Sequence, residues 1–403
     1  MLELEQALEA LLGALPSPED TSAGEVALDA AVGLYLSSPW FSPLDLPPFD
    51  NSAMDGWAVR VEDVQSVPAR LTIQGRVAAG QTHSAPLRPR HAIRVFTGSP
   101  LPTGADAVVM QEDAHVVDPA TVEIREPARP WEFVRMAGED VRRGAELLAT
   151  GTRMGPAQLA LLAATGCTRV RVHRRVRVAI LPNGSELIPP GENLPPGKVY
   201  ESNALALASL VAQVGACPIR LPPPPDELPA LTTSLEHAFD QAEVVITAGG
   251  ASVGDHDLVK PAFESLGGRL EFWKVALKPG KPFFFGRLPR PGRPDGFLFG
   301  VPGNPVSAFV TTVLLVLPAL RKLLGAPKWT TPNLPGTLAE PLSNSGGRRH
   351  FIRVQRDLQG SVRPSGPQAS HLLGSLAAAN GLVDVPPNTR LPAGTSVRVW
   401  TWD

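Results

Sequence analysis

Residues 244–266 read VVITAGGASVGDHDLVKPAFESL, an apolar run followed by a glycine-rich turn and then by a helical pattern. A continuous apolar run of this length is typical of a strand buried on both faces of a parallel sheet. Because the turn at 249–257 joins a strand to a helix N-terminus, it would present backbone N–H groups to an anion. A tight turn that ends with Asp257 as the helix N-cap explains the same residues without a ligand.

Alternating strand and helix patterns surround this segment. The sequence predicts strands at 176–181, 218–221, 244–247 and 296–299, and helices at 202–214, 227–241, 258–266 and 305–324. Such spacing produces βαβ units and a parallel sheet flanked by helices. Ligands bind at the carboxyl ends of parallel strands, so the loops after these strands are the candidate sites.

The rest of the chain predicts three further modules. Helical patterns at 2–15 and 24–36, with another at 155–162, favour a helical linking domain made of 1–46 and 139–174. Short β-type runs between turns favour an inserted β-rich domain at 47–138. Residues 327–403 favour a C-terminal β-barrel. The predicted fold class is therefore multidomain α/β, with a central three-layer α/β/α domain at 175–326 whose sheet is mostly parallel.

Composition excludes several classes of protein. A net charge of −2 argues against a general nucleic-acid binder, and two cysteines, Cys167 and Cys217, exclude a disulfide framework. The longest apolar run, 306–320, is shorter than the roughly 18 residues of a membrane span. The acidic residues 1–15 lack the basic start of a signal peptide. We expect a cytoplasmic protein with no nucleic-acid or membrane partner.

A second strand-to-helix loop, residues 300–305, reads GVPGNP. Asn304 suits a helix N-cap, and Pro305 suits the first helical position because its missing N–H would be unpaired there. Those roles leave Pro302 and Gly303 unexplained, which favours a close backbone approach to a ligand. Two such loops on one edge of a sheet favour a ligand that carries phosphate groups.

Lysine is scarce, with 7 residues against 30 arginines, yet four of the 7 lie between positions 260 and 281. Strand alternation predicts that Lys274 and Lys278 share one strand face and that Lys281 emerges from a Pro-Gly turn. A solvated strand edge would also explain lysines here. Their apolar neighbours and the compact charge of an ammonium favour a site for phosphate or another oxyanion.

Two acidic residues lie near the same predicted edge. Glu186 follows the strand at 176–181, where a carboxylate can hold a metal ion, and an exposed loop residue is the alternative. Asp226 precedes a predicted helix, where N-capping is the alternative to a metal role.

Six motifs, in order along the chain, resemble the MoeA family, to which the E domain of gephyrin is related. They are FDNSAMDGWA (49–58), RVFTGSPLPTGADAVVMQED (94–113), GED (138–140), GGASVGDHD (249–257), FWKVALKPGKP (272–282) and GVPGNPVSA (300–308). The resemblance covers nearly the whole chain and is weakest toward its C-terminus. Ser185 departs from the family pattern, since an Asp is usual there, and this removes a carboxylate beside Glu186.

The resemblance implies a molybdopterin molybdenumtransferase, which takes adenylylated molybdopterin and molybdate, releases AMP and leaves molybdenum on the pterin dithiolene. It implies assistance by Mg²⁺, a homodimer with an inter-subunit active site, and a contact with the molybdopterin adenylyltransferase. From spacing alone, the segments around Asp55, Thr97 and Asp140 are turns at module boundaries. By motif position, the resemblance implies catalytic roles for Asp55, Asp140, Lys274 and Lys278. The resemblance, together with the two glycine-rich loops and the lysine cluster, implies substrate binding by Thr97, Gly249, Gly250, Ser252, Gly254, Lys281, Pro302, Gly303, Asn304 and Pro305. It implies metal binding by Glu186, Asp226 and Asp257.

Two other functions use similar sequences. One is an adenylyltransferase with the same α/β domain, against which the inserted β-rich segment and FDNSAMDG argue. The other is a non-catalytic, gephyrin-like scaffold that binds the cofactor. The presence of Asp55, Asp140, Lys274 and Lys278 favours an enzyme.

Overall fold

The structure is a computed structural model that describes residues 1–18, 23–250 and 258–402. The chain divides into two compact units. The β-rich unit comprises Ser38–Thr150 and Pro156–Thr168, and the α/β unit comprises Met1–Ser37, Gly151–Gly155 and Arg169–Asp403.

The α-helices of the described residues are α1 (Leu4–Ala14), α2 (Pro156–Ala164), α3 (Asn203–Gln213), α4 (Leu228–Gln241), α5 (Val259–Ser265), α6 (Pro305–Thr311), α7 (Leu317–Leu323) and α8 (Leu373–Ala377). A π-helical turn, Thr312–Val316, joins α6 to α7. The resulting helix Pro305–Leu323 is long and apolar enough to cross a membrane, yet 89% of its most apolar window is buried inside the fold. It is packed as the core helix of a globular domain.

The strands follow three groups in chain order. The first group is β1 (Ala23–Ala27), β2 (Trp40–Phe41), β3 (Asn51–Ser52), β4 (Gly56–Val59), β5 (Ala69–Val77), β6 (His91–Val95), β7 (Ala107–Met110), β8 (Ala114–Asp118), β9 (Thr121–Ile124), β10 (Val134–Arg135), β11 (Glu146–Leu148) and β12 (Arg169–His173). The second group is β13 (Arg177–Pro182), β14 (Leu187–Ile188), β15 (Val199–Tyr200), β16 (Cys217–Arg220), β17 (Val244–Ala248), β18 (Arg269–Trp273), β19 (Leu277–Lys278), β20 (Phe284–Leu288) and β21 (Gly296–Val301). The third group is β22 (Asn333–Leu338), β23 (Leu342–Asn344), β24 (Arg349–Arg356), β25 (Ser361–Pro364), β26 (Gly381–Val385), β27 (Thr389–Leu391) and β28 (Ser396–Trp400).

A sheet in the order β16-β13-β17-β21-β20-β18 forms the centre of the α/β unit. The pairs β16–β13, β13–β17 and β17–β21 are parallel, as the sequence predicts. The pairs β21–β20 and β20–β18 are antiparallel, which the sequence analysis did not predict. Alternate strand residues enter two cores: Val178 and Ile180 pack with α1, α3, α6 and α7, whereas Ala179 and Leu181 pack with α4 and α5. The sheet is therefore the middle of three layers.

Five of the described strands close a barrel at the C-terminal end of the chain, which confirms the predicted β-barrel. The order is β24-β25-β22-β28-β26, and β26 pairs again with β24. Strand β19, which comes from the α/β segment, adds to β24 in parallel register. The barrel is thus hydrogen-bonded to the segment that carries Lys278.

In the β-rich unit, a sheet in the order β7-β4-β6-β5-β9-β8 has apolar residues on both faces. Trp57 and Val59 enter one core and Ala58 enters the other, as strand alternation requires.

The helix predicted at 24–36 is wrong. The segment forms β1, which pairs antiparallel with β12, followed by the 3₁₀ turn Asp29–Ala31. Gly24 is a poor helix former, and the ladder to a strand about 145 positions later supplies backbone hydrogen bonds that the local pattern does not reveal.

Candidate active site

Two loops meet at the carboxyl edge of the α/β sheet, as their positions after adjacent strands predict. Gly249 follows β17 and donates its N–H to the Val301 carbonyl oxygen at 3.1 Å, at the end of β21. Gly249 has a φ of +97°, and a Cβ there would lie 2.5 Å from the backbone oxygen of Asn183. A Cβ at Gly303 would lie 3.6 Å from the Cα of Gly249. Glycine at position 249 is therefore what lets three strand ends converge.

A pocket of about 360 Å³ opens at this edge. Its walls include the backbone of Gly249 and Gly250, the Pro302–Gly303 turn, and the acidic residues Glu186 and Asp226. The pocket thus combines two loops suited to anions with two carboxylates suited to a hard cation.

Glu186 and Asp226 belong to adjoining loops. A carboxylate oxygen of Asp226 accepts the N–H of Ser185 at 3.0 Å, and the Ser185 carbonyl accepts Nζ of Lys198 at 2.5 Å. Helix α4 begins at Leu228 with Glu227 as its N-cap, so the capping alternative for Asp226 is wrong. Within residues 1–18, 23–250 and 258–402, no three His, Cys, Asp or Glu side chains lie close enough together to hold a metal ion. Asp257, Ser252 and Gly254 lie outside the described residues.

The lysine segment does not form the single strand that alternation predicts. Strand β18 ends at Trp273, and Lys274 adopts a φ of +69° while its N–H donates to the Phe283 carbonyl at 2.8 Å. Lys278 lies in β19, which pairs with β24 of the barrel. The prediction that Lys274 and Lys278 share a strand face is therefore wrong, because the chain turns between them. Both side chains are partly exposed, and Lys281 is exposed.

Lys274 has an aromatic neighbour. Its Nζ lies 3.7 Å from the centroid of the Trp273 ring, and the Nζ of Lys260 lies 3.3 Å from the same centroid. An ammonium so close to an aromatic ring is held by the charge distribution of the ring. Two of the clustered lysines are thus placed by one indole.

The KPGKP loop (residues 278–282) packs on α6, the helix that follows the Pro302–Pro305 loop. Gly280 has a φ of +120°, and a Cβ there would overlap Cγ2 of Thr311 in α6. Helix α6 begins at Pro305, as predicted. The KPGKP loop therefore packs on the same helix that the Pro302–Pro305 loop leads into.

Asn304 occupies the N-cap position of α6, as predicted, although its side chain makes no capping hydrogen bond. Its Nδ2 donates instead to Oγ of Ser370 at 3.2 Å. On the other side of the loop, Nδ2 of Asn203 donates to the Gly303 carbonyl at 2.8 Å. Sequence reasoning assigned no role to Asn203 or Ser370, although Asn203 ends the VYESN stretch at 199–203.

Asp55 and Thr97 come together in the β-rich unit. Asp55 lies in the turn between β3 and β4, and Thr97 follows β6. One carboxylate oxygen of Asp55 accepts the backbone N–H of Thr97 at 2.8 Å and its hydroxyl at 2.9 Å. The pKa of Asp55 is lowered, chiefly by the hydrogen bond from the backbone N–H of Thr97. The hydrogen bond from the Thr97 hydroxyl and the positive charge of Arg94 lower it further. Asp55 is thereby kept ionised.

Asp140 lies in a turn of the same unit, where its N–H donates to the Leu46 carbonyl at 3.0 Å and its side chain is exposed. The described contacts join Asp55 to Thr97 and include none between this pair and Asp140. The other described candidate residues, from Glu186 to Pro305, belong to the α/β unit.

Three protein-family models match consecutive segments of the chain. Residues 2–166 match the MoeA N-terminal region (domain I and II), residues 179–322 match a probable molybdopterin binding domain, and residues 335–402 match the MoeA C-terminal region (domain IV).

Similar curated proteins cover almost the full chain. Molybdopterin molybdenumtransferase 2 of Mycobacterium tuberculosis is 40% identical over 387 residues, which are 93% of this chain and 94% of that protein. The molybdopterin molybdenumtransferase of Haemophilus influenzae is 36% identical and covers 94% of this chain and 93% of its own. Among solved structures, a molybdopterin biosynthesis MoeA protein from Pyrococcus horikoshii superposes with a TM-score of 0.83 at 32% identity, covering 100% of this chain and 99% of that one.

Proposed function

This chain belongs to the MoeA family and acts in molybdenum cofactor biosynthesis as a molybdopterin molybdenumtransferase, and we propose that the pocket at the sheet edge binds the phosphates of adenylylated molybdopterin while AMP is released and molybdenum is left on the pterin dithiolene. The observation that carries this proposal is the convergence of Gly249–Gly250, Pro302–Gly303 and two carboxylates on one pocket.

The lysines supply the charge that the reaction needs. Molybdate and phosphate are both tetrahedral oxyanions, and the ammonium groups of Lys274 and Lys278 neutralise the molybdate while Lys281 serves the phosphate side. No nucleophilic side chain is needed, because an oxygen of molybdate or of water attacks the phosphorus of the molybdopterin phosphate while the phosphoanhydride P–O bond breaks and AMP leaves. Positioning and charge stabilisation therefore account for the catalysis.

A Mg²⁺ ion fits the donor set of the pocket. Mg²⁺ prefers oxygen ligands and is commonly held by one or two carboxylates together with substrate phosphates, and Glu186 and Asp226 both line the pocket. Asp257 is the third proposed ligand. When bound, the ion would polarise the phosphoanhydride. The hydrogen bond from Ser185 to Asp226 orients one of these carboxylates.

Asp55, Thr97 and Asp140 complete the proposed site from a second copy of the chain. The three residues lie in the β-rich unit, and the lysines lie in the α/β unit. In a homodimer with an inter-subunit site, the ionised Asp55 and the exposed Asp140 would accept hydrogen bonds from the ligand or hold its cation through oxygen.

The reaction is tested with purified protein, adenylylated molybdopterin and molybdate. We expect AMP release that depends on both molybdate and Mg²⁺. Consumption of ATP with unmodified molybdopterin would instead indicate an adenylyltransferase. Tight binding of the pterin without any AMP release would indicate a scaffold, and either result would overturn the proposal.

The inter-subunit site is tested by co-expressing two variants that are each expected to be inactive, Asp55→Asn and Lys278→Ala. Half of the randomly formed dimers are hybrids, each with one intact inter-subunit site, so co-expression should restore about a quarter of the wild-type activity. Each variant purified alone is the control. If one chain builds its own site, no hybrid has an intact site and the mixture stays inactive.

We also propose a contact with the molybdopterin adenylyltransferase, because the product of that enzyme, adenylylated molybdopterin, is the substrate of this one. Direct transfer would protect the phosphoanhydride from water. Copurification of the two proteins, tested with and without adenylylated molybdopterin, would support the contact. A rate of AMP release that stays the same when a dialysis membrane separates the two proteins would contradict it.

A further inference from the structure

A second cavity opens at the amino edge of the α/β sheet, the edge opposite the proposed site. Its lining includes Arg177 at the start of β13, Glu243 just before β17, and Phe297 in β21. Because β13 is six residues long, its two ends lie about 17 Å apart, and Asn183 beyond its far end lines the pocket at the carboxyl edge. The two cavities are therefore separate, and the volume at the amino edge is about 810 Å³, against about 360 Å³ at the carboxyl edge.

The floor of this amino-edge cavity is apolar. Four buried side chains from four elements of the α/β unit line it, and they are Leu15 after α1, Val176 before β13, Phe297 in β21 and Leu323 at the end of α7. Pockets that bind small molecules commonly have volumes of about 300–1,000 Å³ and walls that are mostly apolar. The floor thus suits the flat apolar body of a small ligand.

The charged residues of the lining leave an excess of positive charge. The cavity is also lined by four exposed arginines, Arg174, Arg175, Arg177 and Arg287. Two carboxylates in the lining are already paired, Glu243 with Arg177 at 3.7 Å and Asp295 with Arg287. In the described part of the chain, neither Arg174 nor Arg175 pairs with a carboxylate. These two guanidinium groups are the charges that an anionic ligand would neutralise.

The backbone holds Arg175 in place. Its Nη2 donates to the Val32 carbonyl at 3.0 Å and its Nη1 to the Gly215 carbonyl at 3.4 Å, which uses two of the five N–H donors of a guanidinium. The fork of N–H groups on an arginine matches the oxygens of a phosphate, and two adjacent arginines match a group with two negative charges. A phosphate monoester carries nearly two negative charges at pH 7.

We propose that the amino-edge cavity is a second ligand site, which binds a phosphate monoester of a flat apolar molecule. The phosphate is bound by Arg174 and Arg175, and the apolar body lies on Phe297 and the leucines of the floor. This inference rests on the cavity alone and does not depend on the proposed function of the opposite edge.

The probe for this site is 1-naphthyl phosphate, with 1-naphthol and inorganic phosphate as its two separate halves. Leucine-methyl NMR of the full-length protein, with Leu15→Ile and Leu323→Ile for assignment, reports where the probe binds. We expect the ester to shift both methyl signals through the ring current of the naphthyl group, in a saturable titration. Each half alone should bind at least about tenfold more weakly than the ester, because it makes only one of the two kinds of contact.

Arg174→Ser should weaken binding of the ester by about tenfold, because it removes a charge-assisted hydrogen bond to the phosphate. The matched control is Arg171→Ser, since Arg171 is an exposed arginine of β12 that does not line the cavity. Lys278→Ala is a second control, because Lys278 belongs to the proposed transfer site. Both controls should bind the ester as the wild type does, and thermal unfolding checks that all three variants are folded.

Methyl signals of Leu15 and Leu323 that do not move would overturn the proposal, whether the cavity is closed or covered by a second copy of the chain. Equal weakening in Arg174→Ser and Arg171→Ser would show a diffuse attraction of charge in place of a site. Loss of binding in Lys278→Ala would place the ester at the transfer site. Inorganic phosphate that binds as tightly as the ester would remove the role of the apolar floor, and each of these results contradicts the proposal.

Discussion

The backbone N–H and the hydroxyl of Thr97 both donate to the same carboxylate oxygen of Asp55, at 2.8 and 2.9 Å. The two residues are 42 positions apart, and the contact joins the FDNSAMDG turn to the TGSP turn. Both hydrogen bonds favour the ionised carboxylate, which is why the pKa of Asp55 is lowered.

Thr97→Val removes the hydroxyl bond and keeps the backbone bond. We expect the pKa of Asp55 to rise toward its ordinary value, and the acid limb of the pH–rate profile to move to higher pH with it. Carboxyl ¹³C NMR of the protein labelled at aspartate, with Asp55→Asn for assignment, measures the shift. Thr97→Ser is the matched control, since it retains the hydroxyl. An Asp55 pKa that is the same in the Val and Ser variants would contradict this prediction.

Lys278→Ala should lower molybdate-dependent AMP release by about a hundredfold or more, because one compact positive charge is lost beside the oxyanion. Lys278→Arg should also be impaired, since a planar guanidinium does not replace an ammonium in a confined site. The exposed Lys328 provides the control substitution Lys328→Ala. Steady-state AMP release and thermal unfolding of the three variants check the prediction, and wild-type turnover in Lys278→Ala would refute the assignment of Lys278.

Gly280→Ala should destabilise the fold by about 3 kcal/mol, because the backbone has a φ of +120° and the new methyl group would overlap Cγ2 of Thr311. Thr311→Ser removes Cγ2 and keeps the hydroxyl that donates to the Ser307 carbonyl, so the double variant should recover the steric part of the loss. Gly292 has a φ of +72° and open space around it, so Gly292→Ala isolates the backbone effect. Urea unfolding measures all four proteins. An equal loss at positions 280 and 292 would show that packing on α6 is not the cause.

The stability of the fold should fall in mild acid because of His350. This residue is 5% exposed, and burial, together with the positive charges of Lys278 and Arg353, lowers the pKa of His350 to about 4. The unfolded chain binds the proton near pH 6.5, so stability is full above that pH and is lost as pH falls toward 4. The loss between pH 7 and pH 5 should be about 2 kcal/mol.

His350→Leu removes this proton binding, and urea unfolding of the variant and the wild type at pH 7 and pH 5 measures the difference. The variant should lose less stability than the wild type over this interval. An identical loss in the two proteins would exclude His350 as the source.

The parallel strands were predictable because burial on both faces leaves a direct sequence pattern. Residues 244–248 and 296–301 are all buried, and their apolar runs identify them as neighbours in a parallel sheet. The convergence of Gly249 and Pro302 follows from that topology, since adjacent parallel strands end at the same edge.

The lysine geometry was not predictable from local alternation. The positive φ of Lys274 accompanies a hydrogen bond to Phe283, nine residues later, and Lys278 leaves the α/β sheet to pair with the barrel. The burial of Arg353 was not predictable for a similar reason. Its guanidinium donates to partners at 367, 369 and 375, and nothing in the sequence around an isolated arginine of a strand indicates burial.

Helix α6 carries the Pro302–Pro305 loop at its first residue and receives the KPGKP loop at Thr311. Six residues of α-helix rise about 9 Å, and this spacing cannot change without breaking backbone hydrogen bonds. A ligand that contacts both loops must therefore have a matching length. In the proposed site, the ligand would therefore be selected by span as well as by charge, and free molybdate would occupy one end of the site without bridging it.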